Sequence, residues 1–262
     1  LIAASSPDDG AALSLGDRLR IVARLNAMLL ALLVSLPLYY LWRIVRLPNP
    51  WPRRFLGAIA WIVGARVRVD GAPLRRGAFL LANHVSWMDI PIIAGATGTA
   101  FVAHDGLAES ALLKWLCEMN DTVFIARNDR AGVHDQVALV RAALSETGAL
   151  AIFPEGTTSD GTGLLPFKSS LLSALDPAPP GIMVQPVVLD YGAGAPRIAW
   201  VGEEHGLHNF LRILAQRDRV AVTLHVLEPF EPGAAGSRKA IAALAQRLMA
   251  ERLSPPASAP AR

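Results

Sequence analysis

A histidine and an aspartate stand five positions apart in Asn83-His84-Val85-Ser86-Trp87-Met88-Asp89, where an apolar run gives way to polar residues. Imidazole takes up and releases protons near neutral pH. A carboxylate beside it fixes its tautomer and stabilises its charged form. The pair is therefore equipped for general base chemistry, with His84 as the base and Asp89 as its partner. The same residues also fit a plainer role. Ser86 and Asp89 have the spacing of a capping box, which would make Asp89 a helix cap and His84 a turn residue. A second group, Phe153-Pro154-Glu155-Gly156-Thr157-Thr158, ends another apolar run and leads into the small, polar segment Ser159–Gly163. A carboxylate followed by glycine places an acceptor beside approachable backbone, a combination able to hold hydroxyls. Taken alone, it reads as an ordinary strand-exit turn.

Both groups need a scaffold that presents them together. From residue 66 onward, short β-rich runs alternate with helical segments. Arg66–Asp70, Ala78–Ala82, Ala100–Ala103, Thr122–Ala126, Ala149–Phe153, Met183–Leu189, Arg197–Val201 and Val220–Leu227 read as strands. Ser86–Ala96, Leu107–Met119, Gly132–Thr147, Ser169–Asp176, Gly206–Ala215 and Ser237–Leu253 read as helices. In the last of these, Ile241, Leu244, Ala245 and Leu248 share one face, and Ser237 is suited to the N-cap. Such alternation predicts an α/β fold, a mixed central sheet flanked by helices. Residues at a strand's carboxyl end sit at the edge of such a sheet, where ligands bind in open α/β folds.

The first quarter of the chain has a different character. Residues 1–16 read as disordered, as does the Pro- and Ala-rich tail 254–262, and 17–65 read as a hydrophobic helical membrane anchor ahead of a domain spanning 66–253. Between Arg24 and Arg43 lie 18 uncharged residues. As a helix they would cover about 27 Å, close to the hydrocarbon thickness of a bilayer. Pro37 and Asn26 interrupt their apolar character. A second apolar run, Phe55–Ala65, is too short to cross alone, and three prolines between Leu47 and Pro52 break the helix between the runs. Three arrangements fit: one spanning helix plus an amphipathic one, a hairpin dipping into one leaflet, or a buried core helix pair. Arginines flank both ends, so the positive-inside rule sets no orientation.

Considered together, the two polar groups belong to a longer pattern. The sequence resembles the glycerolipid acyltransferase family that includes 1-acyl-glycerol-3-phosphate acyltransferase. That family has an Asn-His-x4-Asp block, a Phe-Ile-x-Arg block, Phe-Pro-Glu-Gly-Thr, and a hydrophobic block containing proline. Here these stand in order as Asn83–Asp89, Phe124-Ile125-Ala126-Arg127, Phe153–Thr157 and Val184-Gln185-Pro186-Val187. The resemblance implies transfer of a fatty acyl group from acyl-CoA or acyl carrier protein to a lysolipid hydroxyl. His84 would remove the hydroxyl proton and Asp89 would orient His84. Arg127, Glu155, Gly156 and Thr157 would match the acceptor-binding blocks, and Pro186 would lie in the block associated with acyl-chain or substrate contacts. The resemblance implies no metal and no cofactor, the acyl thioester being a substrate. It also implies a membrane-associated enzyme whose site faces the cytoplasm, with membrane lipids as its surroundings.

Two cationic positions of the pattern are missing. Many phosphatidate-forming members have Arg after Glu-Gly-Thr, where this chain has Thr158, and many have Lys where it has His104. In the second block, Asp121 and Ala126 replace the usual Gly and Asp. Lys168 and Arg127 could supply compensating charge. The run Glu155–Gly161 followed by Leu165–Ser169 resembles the branch that acylates lyso-ornithine lipid, a zwitterion without phosphate. Lysophosphatidate and lyso-ornithine lipid thus both remain open as acceptors.

Composition narrows the alternatives. At 52% hydrophobic and 18% charged residues, the chain can fill a large core. A net charge of +3 gives no argument for nucleic acid. The single cysteine, Cys117, excludes an internal disulfide and fits a reducing compartment. His205 and His208 have helical spacing, yet lack the further ligands a metal needs. A lipid hydrolase would need an activated nucleophile, and there is no Gly-x-Ser-x-Gly elbow. A non-catalytic lipid-binding protein would share the basic-flanked hydrophobic segment.

Overall fold

The computed structural model describes residues 13–104, 106, 110–125 and 133–253. Strand β2 (Ala78–Ala82) has five consecutive apolar residues, all fully buried. An unbroken apolar run of this kind suits a strand covered on both faces. It lies at the middle of a seven-stranded sheet in the order β1-β7-β6-β2-β5-β3-β4. The others are β1 (Ala65–Asp70), β3 (Ala100–His104), β4 (Val123–Ile125), β5 (Ala149–Ile152), β6 (Met183–Asp190) and β7 (Val220–Val226). Neighbours from β6 through to β4 run parallel. Strand β7 is antiparallel to β6, and β1 is parallel to β7. The sheet is mixed, as the alternation predicts.

The helices are α1 (Leu15–Ile44), α2 (Trp51–Ile62), α3 (Asp89–Thr97), α4 (Ala111–Met119), α5 (Val133–Thr147), α6 (Ala195–Ile198), α7 (Gly206–Ala215), α8 (Pro232–Ala235) and α9 (Arg238–Leu253). Side chains alternate across a strand, so β2 feeds two cores. Leu80 and Ala82 pack with Ala60 of α2, Ile92 and Ile93 of α3, and Ile213 of α7. Phe79 and Leu81 pack on the other face with Leu144 of α5 and Ile241 of α9.

The helix that follows β2 is held from behind. At the α2–α3 crossing, Gly57 meets Gly95 so closely that a Cβ on Gly95 would stand 2.6 Å from Gly57 Cα. Arg53 Nε donates to the Gly95 carbonyl at 3.1 Å and Nη2 to that of Ala96 at 2.8 Å. A cation on the last carbonyls of α3 complements the negative end of the helix.

Helix α1 starts where Ser14 and Asp17 form a reciprocal capping box, inside the stretch read from sequence as disordered. It continues through Pro37 for 30 residues. That is about 45 Å at roughly 1.5 Å per residue. Its first half is tied to the final carbonyls of α7: Arg20 Nη1 bonds Ala215 at 2.5 Å, and Arg24 Nη1 bonds Ile213 and Leu214 at 3.1 and 3.0 Å. Helix α2 folds back along α1. Leu29, Leu30, Leu33, Leu41 and Ile44 nevertheless face outward. Only 11% of the most apolar 18-residue window of α1 is buried, which excludes the core-helix-pair reading.

Three sequence expectations are corrected. Arg197–Val201 is no strand. Pro196 sits in the first turn of α6, which Pro favours, and Trp200 then crosses over the β2–α3 turn, its N–H donating to the Val85 carbonyl at 2.9 Å. Ser169–Leu175 forms a 3₁₀ helix and no α-helix, starting without a side-chain cap. Helix α3 begins at Asp89, not Ser86, because the Asp89 carboxylate engages the Val85 and Ser86 amides.

Candidate active site

The site grows from the carboxyl end of β2. Asn83 is buried, and its side chain prolongs the β2–β6 pairing past the last strand residue. Nδ2 donates to the Leu189 carbonyl at 3.1 Å, and Oδ1 accepts the Leu189 N–H at 2.8 Å. The residue preceding His84 is thereby pinned to the sheet.

His84 is gripped on every side but one. Its N–H donates to Glu155 Oε1 at 3.3 Å, and its carbonyl accepts the Ser159 N–H at 2.7 Å and hydroxyl at 3.1 Å. Its ring stacks on Phe153 with centroids 4.0 Å apart and planes 12° from parallel. Nδ1 lies 2.8 Å from Asp89 Oδ2. Among the described residues Nε2 has no hydrogen-bond partner, and the side chain is 18% exposed. A carboxylate only accepts, so Nδ1 holds the ring proton and Nε2 presents its lone pair outward.

Asp89 is wholly buried at the first turn of α3, where the helix dipole favours negative charge. Oδ2 accepts the Val85 N–H at 2.6 Å and the Ser86 N–H at 2.9 Å, besides facing His84. Oδ1 accepts the Tyr191 hydroxyl at 2.5 Å. The capping and the imidazole-orienting readings of Asp89 therefore describe one arrangement: the oxygen that holds the turn also holds the ring.

Glu155 is 1% exposed. Its second oxygen accepts the Leu165 N–H at 3.4 Å, so the carboxyl bridges the His84 turn and the loop before Lys168. Burial pushes it up to about 7 against the pull of the Leu165 and His84 amides. Gly156 adopts φ 67°, and a Cβ there would stand 2.8 Å from Lys168 Nζ. Glycine thus lets an exposed ammonium lie against the loop beside the histidine. Thr157 is exposed. The Thr158 hydroxyl donates to the Trp200 carbonyl and serves the loop.

Pro186 is buried inside β6 opposite Leu81 and Leu227, below the sheet edge. Proline has no N–H to return to its antiparallel partner. The Gln185 amide replaces it, donating to the Leu227 carbonyl at 3.1 Å. Arg127 lies outside the described residues, as does the side chain of His104. His205 caps α7, and His208 faces Glu204 at 3.1 Å. Sequence reasoning missed Tyr191 and gave no separate role to Asn83 and Phe153. The position of Tyr191 directly after β6 was the available signal, since that end of the strand borders the same sheet edge.

The acyltransferase family model matches residues 66–190. The chain is 32% identical to the lyso-ornithine lipid O-acyltransferase of Rhodobacter capsulatus over 69% of each chain. It is 34% identical to a 1-acyl-sn-glycerol-3-phosphate acyltransferase of Neisseria gonorrhoeae over 52% of each. In fold it is similar to the 1-acyl-sn-glycerophosphate acyltransferase PlsC of Thermotoga maritima, with a TM-score of 0.57 at 21% identity, covering 89% of this chain and 96% of that one.

Proposed function

The chain belongs to the acyltransferase family, and we propose that it moves a fatty acyl group from an acyl thioester to the free hydroxyl of a lysolipid, at a membrane surface. The observation that carries this reading is the 2.8 Å contact between His84 Nδ1 and buried Asp89, which leaves Nε2 open at the sheet edge. His84 Nε2 takes the proton of the acceptor hydroxyl as its oxygen attacks the thioester carbonyl. The tetrahedral intermediate then collapses, the C–S bond breaks, and the proton on His84 passes to the departing thiolate. Asp89 stabilises the transient imidazolium. No acyl-enzyme forms. The donor is acyl-CoA or acyl carrier protein.

Helix α1 supports the membrane setting, because its outward leucines need a lipid or apolar partner. Arg20 and Arg24 bind it to α7, so the catalytic domain stays against the bilayer, on the cytoplasmic side where acyl thioesters are available.

For the acceptor we favour lyso-ornithine lipid. Thr158 puts a hydroxyl, already engaged by Trp200, where a phosphate-gripping cation would otherwise stand. Lys168, beside Gly156, favours a second reading, because its ammonium suits the phosphate of lysophosphatidate as well as a carboxylate. Purified enzyme offered both acceptors, each with acyl-CoA and with acyl carrier protein donors, separates the cases. Preferred esterification of lyso-ornithine lipid is expected. Strong preference for lysophosphatidate overturns the acceptor assignment, and absence of ester with every pair overturns the reaction.

A further inference from the structure

Asp89 gives only one of its oxygens to the His84 turn. The other meets Tyr191, 102 residues further along the chain, at 2.5 Å. Tyr191 is 4% exposed and follows β6 directly, and β6 is held to the His84 strand by the Asn83 clamp. Burial, and then the Asp89 charge, keeps the phenol well above its ordinary value, so it remains a donor.

We propose that Tyr191 is a positioning residue for the His84–Asp89 pair, fixing Asp89 through Oδ1 and setting how strongly Oδ2 supports charge on the imidazole. This rests on the reading of His84 as the base. A donor on Oδ1 draws part of the carboxylate charge away from the histidine. Removing that donor concentrates the charge on Oδ2 and makes the imidazole more basic; a stronger donor does the opposite. The other titratable groups described around the pair are Glu155, on the His84 amide from the loop after β5, and Lys168, against Gly156. Phe153 covers the ring face and bears no charge.

The test compares wild type, Tyr191→Phe, and 3-fluorotyrosine placed site-specifically at position 191, whose phenol is the stronger donor. Two quantities are followed: the acid limb of kcat/KM, and the His84 imidazole nitrogen titration by NMR without substrate. In Tyr191→Phe both midpoints should rise by about 0.5 to 1 pH unit, a part of what a hydrogen bond to a charged group carries. With fluorotyrosine both should fall. The kcat of Tyr191→Phe should drop about tenfold with acceptor KM unchanged, as for an interaction made in the transition state. Identical midpoints in all three proteins overturn the proposal, whatever happens to kcat. If Tyr191→Phe does not fold, the fluorotyrosine protein, which keeps the ring and its bond, decides by its own midpoint. Undiminished turnover in His84→Ala sinks the base assignment instead, a result distinct from the imidazole titration because that needs no turnover.

Discussion

Replacing Asp89 with asparagine separates the two duties of that side chain. Its Oδ2 holds the Val85 and Ser86 amides and the His84 ring, while among the described residues Oδ1 meets only the Tyr191 hydroxyl. An asparagine can keep its oxygen at the first place and turn its NH₂ toward the Tyr191 oxygen, since a hydroxyl also accepts. The turn then survives with three neutral bonds in place of charge-assisted ones, costing about 2 to 3 kcal/mol of stability. Catalysis loses more. Without the carboxylate, the imidazolium formed during proton transfer is unsupported in a half-buried setting. The comparable change in a serine protease triad lowers kcat by about 10⁴, or roughly 5.5 kcal/mol. For Asp89→Asn we expect a fall of about 10³ to 10⁴ in kcat, with a modest loss in thermal stability. Acyl transfer at saturating substrate and thermal unfolding of the same preparation give both quantities. Folded Asp89→Asn with a rate within tenfold of wild type would show that the carboxylate only caps a helix.

Two further outcomes follow from the packing around the site. Glu155 titrates near 7 when folded against an ordinary 4.5, so the folded protein holds this proton more tightly than the unfolded chain does. Its contribution is fully present below about pH 4.5 and is lost as pH rises through about 7, a decline of about 3 kcal/mol. Urea unfolding across that range should show this component in wild type and not in Glu155→Gln; parallel curves would contradict it. Gly95→Ala would bring a Cβ within 2.6 Å of Gly57 Cα and 2.9 Å of its nitrogen, both backbone atoms. Overpacking of this kind costs about 1 to 3 kcal/mol, read as a lowered Tm. An unchanged Tm would mean that α2 can shift away from α3 freely.

The contact between His84 and Asp89 was legible because it is local, five residues across one turn, while the choice between a base and its partner and a mere helix cap needed the other blocks of the pattern. The strands were legible where apolar runs were unbroken, as in β2. Arg197–Val201 has the apolar residues of a strand, but Pro196 just before it starts a helical turn. Other features depend on distant partners. Whether Glu155 faces substrate or backbone is decided by the His84 and Leu165 amides, 71 and 10 residues away. Pro186 was legible only as part of its block, and its setting inside β6 emerges when Leu227 and Gln185 are placed beside it. Tyr191 had no spacing relation to Asp89 that a linear pattern could reveal. The mixed strand order, with β7 inserted between β1 and β6, likewise depends on long-range pairing.

The central claim is that His84 is the proton acceptor in acyl transfer. The direct measurement is ester formation from labelled acyl thioester and lysolipid by purified His84→Ala, matched to wild type in thermal unfolding. The account predicts a rate lower by about 10² to 10⁴, the usual contribution of a positioned base. Turnover equal to wild type in the folded variant would contradict it.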